Sequence, residues 1–86
     1  MKKILIYSSR LCPYCVSAKR LLENLKLNYE ERIIDNNNKI KEEMLEKSNG
    51  RKTVPQIFFD ETHIGGYDDL EEVYKTGDIM SLLNEN

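Results

Sequence analysis

The sequence predicts an α/β fold: a four-stranded mixed sheet in the chain order β-α-β-α-β-β-α, flanked by helices. Three observations predict it. The short apolar run Ile4 to Tyr7 is followed at once by apolar residues at helical spacing. A second β-type run, Tyr29 to Ile34, leads into another helical pattern, so the first three elements form a right-handed parallel βαβ unit. A third run, Val54-Pro55-Gln56-Ile57-Phe58-Phe59, turns back at Asp60-Glu61 and adds an antiparallel pair. A length of 86 residues leaves room for one domain, residues 1–86.

Each element has its own cause. Lys2 to Tyr7 reads as a strand covered on both faces, because its apolar residues are continuous rather than alternating. Ser8 to Leu11 is a loop. A helix begins at Pro13, since the first helical turn needs no N–H from that position. It runs to Lys26, with Val16, Ala18, Leu21, Leu22 and Leu25 as its apolar stripe. After the second strand, Asp35 with Asn36 to Asn38 supplies a turn and an N-cap. The next helix, Lys39 to Lys47, buries Ile40, Met44 and Leu45 and ends at Asn49-Gly50. Pro55 stands at the start of the third strand, where a sheet tolerates it. Thr62 to Ile64 is a short fourth strand, broken by Gly65-Gly66. Asp68 or Asp69 caps a last helical stretch carrying Leu70, Val73 and Tyr74, and Asp78 to Leu83 adds a final turn or two beyond Thr76-Gly77. Leu21, Leu25, Ile33, Ile57 and Phe59 read as core.

Composition narrows the function. The net charge of −2 and a pI near 5.4 give no footing for nucleic acid or a membrane surface. The start, Met1-Lys2-Lys3 and four apolar residues, resembles a secretory signal but is too short, since such a signal needs roughly 7–15 apolar residues. The expected compartment is therefore the reducing cytoplasm, where a close cysteine pair serves redox or metal chemistry rather than stapling.

That pair is Cys12-Pro13-Tyr14-Cys15. With a helix starting between them, Cys12 lies at its N-terminal lip and Cys15 one turn in, on the same face. Unpaired N–H groups converge on Cys12 with a partial charge of roughly +0.5, which favours thiolate over thiol. Arg10 adds positive charge nearby. Cys12 is thus the expected nucleophile and Cys15 the resolving thiol. The competing readings are half of a zinc site and two unrelated core cysteines. A structural zinc site needs four ligands, and the chain offers Cys12, Cys15 and His63. The strand before the pair and the Pro between its members favour the redox reading.

With Thr53-Val54-Pro55-Gln56-Ile57-Phe58 and Gly65-Gly66-Tyr67-Asp68-Asp69-Leu70 at matching spacing, the sequence resembles the glutaredoxins of the dithiol type, close to small bacterial ones. The resemblance covers essentially the whole chain. It implies a thioredoxin-like fold, glutathione as co-substrate and no tightly bound cofactor or metal. It implies a cis Pro55 that sets the Val54 backbone beside Cys12, where a peptide-like substrate can pair as an added strand does; an ordinary strand entry is the alternative for this segment. Gly66, Tyr67, Asp68 and Asp69 would receive the γ-glutamyl end of glutathione, with plain helix capping as the alternative for either Asp. Arg51 and Lys52, helped by Gln56 and with Thr53 beside them, would hold the glycyl carboxylate. Relatives commonly carry a Lys three residues before the first Cys. Here that position is Ser9, and Arg10 follows it. Tyr14 would belong to the contact surface.

His63 has no neighbouring partner in the sequence and reads as structural or exposed; Glu42-Glu43 and Glu71-Glu72 read as solvated helix faces. The expected function is reduction of disulfide-containing and glutathionylated proteins by a monomer using glutathione. Two rivals remain: a redoxin served by thioredoxin reductase, and a dimer holding an iron–sulfur cluster. The cationic and Gly-Gly-x-Asp features weigh against the first, Pro13 and Cys15 against the second.

Overall fold

The structure, a computed structural model, describes residues 1–85. Strand β1 (Ile4–Ser8) is followed by α1 (Pro13–Asn24), β2 (Glu30–Ile33), α2 (Asn38–Lys47), β3 (Gln56–Phe59), β4 (Thr62–Gly65), α3 (Tyr67–Lys75) and α4 (Ile79–Asn84). The sheet runs β2-β1-β3-β4. β1 and β2 are parallel, with Leu5 opposite Glu30. β3 returns antiparallel to β1, with Leu5 opposite Phe58, and β4 is antiparallel to β3. The expected four-stranded mixed sheet with flanking helices is what forms.

Period-two alternation divides the apolar residues between two faces. Ile4, Ile6, Ile57 and Phe59 point to the side packed by Ala18 and Leu22 of α1, Leu70 of α3 and Ile79 and Leu83 of α4. Tyr7 and Phe58 point to the opposite side, under Met44 of α2. Leu22 is fully buried, so truncating it to Ala costs about 2–5 kcal/mol.

Several boundaries differ from expectation, each for a local reason. α1 stops at Asn24 because Lys26 takes a left-handed φ of 58°. β3 begins at Gln56, so residues 51–55 stand outside helix and ladder. Val16 is 40% exposed rather than part of the buried stripe: that row is Cys15, Ala18 and Leu22, and position 16 lies about 100° round the helix from Cys15. Ile33 is half-buried near the edge of the sheet, and Leu21 and Leu25 are likewise only partly covered. Glu43, on a helix face expected to be solvated, is only partly exposed. It accepts a hydrogen bond from the buried Tyr7 hydroxyl and pairs with Arg32 at 2.9 Å, tying α2 to the sheet.

Candidate active site

Cys12 is the N-cap of α1, with extended backbone angles and Pro13 at the first helical position. Its sulfur does what a Ser or Asp oxygen does at such a cap, accepting the Cys15 N–H at 3.2 Å. α1 carries no acidic side chain in its first turn, so no carboxylate competes for that position. On its other side the Cys12 thiol faces the Val54 carbonyl at 3.6 Å. The Val54–Pro55 peptide bond is cis. Cys15 is fully buried. Burial pushes its thiol up to about 12, the adjoining Cys12 adds to that, and the Ser9 backbone N–H works the other way.

Beside this pair lies an open groove of about 170 Å³. One wall comes from Arg51, Thr53, Val54 and Pro55. The other is Gly66, Tyr67, Asp68 and Asp69 at the start of α3, and Tyr14 also lines the groove. The rings of Tyr14 and Tyr67 face each other with centroids 6.5 Å apart. Nine of the residues expected to contact the co-substrate thus meet in one place, while Lys52 is exposed and outside the groove lining. Arg10 stands apart: with Ser9, Leu11, Asp35 and Asn36 it lines a separate surface hollow. Its backbone N–H donates to Asp35 at 2.9 Å, and the Ser9 hydroxyl donates to the other Asp35 oxygen at 2.7 Å. These two bonds hold the Asp35 carboxyl below its ordinary range. Asp35, a turn residue by its sequence setting, also fastens the loop that carries Cys12.

The start of α3 shows how the two aspartates differ. Gly66 is the N-cap, and Tyr67 opens the helix. Asp69, at the third helical position, reaches back and accepts the Gly66 N–H at 2.9 Å. Asp68 is exposed on the groove wall. Neither aspartate is therefore the N-cap residue itself. The glycine that needs to be a glycine is Gly65, with φ at 120°.

Gln56 is not available to a carboxylate. It is fully buried, its amide nitrogen donates to the Thr53 carbonyl at 3.0 Å and to the Thr53 hydroxyl at 3.2 Å, and its oxygen lies 2.6 Å from His63 Nε2. His63, which has no partner near it in sequence, finds one across the β3–β4 hairpin and stacks on Phe58 with centroids 4.7 Å apart. A hairpin register brings these residues together, and the sequence carries that register only weakly. Among the described residues no group of three or more His, Cys, Asp or Glu side chains is arranged to hold a metal ion, and no helix is long and apolar enough to cross a membrane.

A profile of the Glutaredoxin family matches residues 4–64. Glutaredoxin 3 of Escherichia coli strain K12 is 46% identical over 83 residues, spanning 96% of this chain and 99% of that protein. Among solved structures, the solution structure of glutaredoxin from Brucella melitensis superposes with a TM-score of 0.82 at 38% identity, covering 96% of this chain and 89% of that one. The buckwheat glutaredoxin–glutathione complex superposes with a TM-score of 0.84 at 27% identity, covering 95% and 76%. A thioredoxin-like sheet, a Cys-x-x-Cys pair at a helix start and relatives matched almost end to end agree on one conclusion: this chain belongs to the glutaredoxin family of thiol–disulfide oxidoreductases.

Proposed function

We propose that the protein reduces glutathione mixed disulfides and protein disulfides, drawing its electrons from glutathione, with Cys12 as nucleophile and Cys15 as resolving thiol. The observation that carries this reading is the groove beside Cys12, cationic at Arg51 and anionic at Asp68, with the unpaired N–H groups of a helix start on the same wall. Glutathione has the complementary pattern: a glycyl carboxylate at one end, an α-carboxylate and an ammonium at the other. Arg51 suits the first, the first turn of α3 the second and Asp68 the third. The buckwheat relative solved as a glutathione complex supports glutathione as the co-substrate.

For a glutathionylated protein, the Cys12 thiolate attacks the glutathione sulfur. The protein leaves as a thiolate, and a Cys12–glutathione disulfide forms. A second glutathione thiolate attacks its glutathione sulfur, releasing oxidised glutathione and restoring Cys12. For a protein disulfide, Cys12 forms a mixed disulfide with one substrate sulfur. Cys15 then attacks Cys12, its proton passing to the departing substrate thiolate, and the closed Cys12–Cys15 bond is reopened by two glutathiones. Cys15 is a thiol rather than a thiolate at neutral pH, so it becomes nucleophilic only as that proton leaves.

The reading includes the whole chain working as one domain, a monomer in the reducing cytoplasm, with no tightly bound cofactor. Its partners are glutathione and disulfide-containing or glutathionylated proteins. The exposed Leu11, Tyr14 and Val16 around Cys12 suit contact with a protein substrate.

The test is the rate of reducing a glutathionylated peptide with glutathione as sole reductant, for wild type, Cys12→Ser and Cys15→Ser. We expect Cys12→Ser to be inactive and Cys15→Ser to retain activity. Wild type that is inert with glutathione but turns over with thioredoxin reductase overturns the reading.

A further inference from the structure

Among the described residues, Ser8, Ser48 and Gln56 are buried polar side chains, Ser8 and Gln56 completely. Gln56 is the largest, and an amide buried without partners destabilises the fold, so each of its polar atoms must be matched. Its hydrogen bonds fix its orientation. The Thr53 carbonyl can only accept, so the amide nitrogen must face it. The amide oxygen then faces His63, which must donate from Nε2. His63 is in turn held by its stack on the buried Phe58. Burial and the nearby Arg51 keep its imidazole neutral to lower pH than an ordinary histidine.

The far end of this chain of contacts is Thr53, which lines the groove next to Val54. Residues 51–55 belong to no helix or strand, and among the described residues no backbone–backbone hydrogen bond anchors Thr53 or Val54. The Gln56 amide, gripping both Thr53 oxygens, anchors the wall at Thr53, while the Ser48 hydroxyl holds the Arg51 backbone two residues earlier. Without the His63 donor, the buried Gln56 oxygen is unpaired. Rotating the amide to relieve it would set that oxygen against the Thr53 carbonyl.

We propose that Gln56 and His63 are positioning residues, a strut that holds the Thr53–Pro55 wall in one register so that the Val54 backbone meets the peptide part of a disulfide substrate beside Cys12. This rests on the function proposed above and extends it to two residues that touch neither the substrate nor the reacting sulfurs. The strut acts on substrates that present a peptide backbone. It does not act on the intrinsic reactivity of Cys12.

The test uses His63→Phe, which keeps a flat ring for Phe58 and deletes the N–H, and Gln56→Met, which keeps the volume. KM for a glutathionylated peptide should rise about tenfold in each, the scale of one hydrogen bond lost from the substrate's docking wall, with kcat within about twofold. The rate of Cys12 alkylation by iodoacetamide should not move. A merely structural role would lower the melting temperature and leave the KM of the folded variant unchanged, and that result overturns the proposal. Should either variant fail to fold, the wild type still decides. His63 is the sole histidine of the chain, so its nitrogen resonances assign themselves. Above the histidine range they must show the proton on Nε2, and a proton on Nδ1 overturns the strut. Wild type inert with glutathione but showing the Nε2 proton would sink the functional reading and leave the strut geometry standing.

Discussion

The Asp69 carboxylate fills the space that a side chain on Gly65 would need: a Cβ there would lie 2.2 Å from Asp69 Oδ2 and 3.1 Å from the Asp69 Cβ. The same oxygen accepts the Gly66 N–H, so Gly65 cannot gain an atom without disturbing the cap of α3. Its φ of 120° adds strain for any other residue. Gly65→Ala should therefore cost about 1–3 kcal/mol and several degrees of melting temperature. At Gly66 a Cβ would meet only the Pro55 carbonyl, at an ordinary 3.6 Å, so Gly66→Ala should cost less than about 1 kcal/mol. Equal losses in thermal denaturation would show that the Asp69 contact does not govern this corner.

Asp35 links the β2–α2 turn to the loop before Cys12. The Arg10 N–H, and after it the Ser9 hydroxyl, hold the Asp35 carboxyl below its ordinary value. A carboxyl with a depressed folded-state value stabilises the fold above its unfolded value and loses that contribution as pH falls through the folded one. Asp35→Ala should thus lower the melting temperature at neutral pH, and the gap to wild type should shrink as pH falls below about 4. A gap that stays constant across that range would mean the two hydrogen bonds do not stabilise the charged form.

Most of this architecture could be read from residue patterns because it rests on short-range causes. Pro13 after Cys12 marks a helix start, Asn49-Gly50 a helix end, and Asp60-Glu61 a hairpin, each through backbone preferences that act within a few residues. The groove was legible for a different reason: eight of its nine lining residues fall within three short motifs, and the ninth, Arg51, stands two residues before one of them. What stayed hidden depends on pairings between distant segments. Ser9 with Asp35, Tyr7 with Glu43, and Gln56 with His63 each join separate segments; strand pairing decides the first and the last, and the docking of α2 on the sheet decides the second. Arg10 shows the same limit. Its proximity to Cys12 in sequence says nothing of which side of the loop its guanidinium takes.

The two cysteines should differ sharply towards alkylation. Cys12 is partly exposed at the helix start, whereas Cys15 is buried with its thiol raised to about 12. The thiolate is the reacting species, so the native, reduced protein should take up one equivalent of iodoacetamide near neutral pH, at Cys12. The second equivalent should enter only after denaturation. Peptide mapping by mass spectrometry locates the adduct. Modification of Cys15 in the folded protein would contradict both its burial and its assigned role as the later-acting thiol.

Two arginines flank the reactive centre in sequence, and the structure separates them. Arg51 lies on the groove wall beside Thr53; Arg10 lines the hollow around Asp35. If the glycyl carboxylate of glutathione docks in the groove, the cation that meets it is Arg51. A charge-assisted hydrogen bond contributes about 1.5–3 kcal/mol, but Arg51 is exposed and water screens it, so Arg51→Ala should raise KM for glutathione by about tenfold. The effect should fade as ionic strength rises, because screening weakens the wild-type interaction that the variant lacks. Arg10→Ala should change KM much less. Steady-state kinetics for the two variants at low and high salt would settle the assignment. A larger effect at Arg10, or an Arg51 effect indifferent to salt, would place the glycyl carboxylate outside this groove.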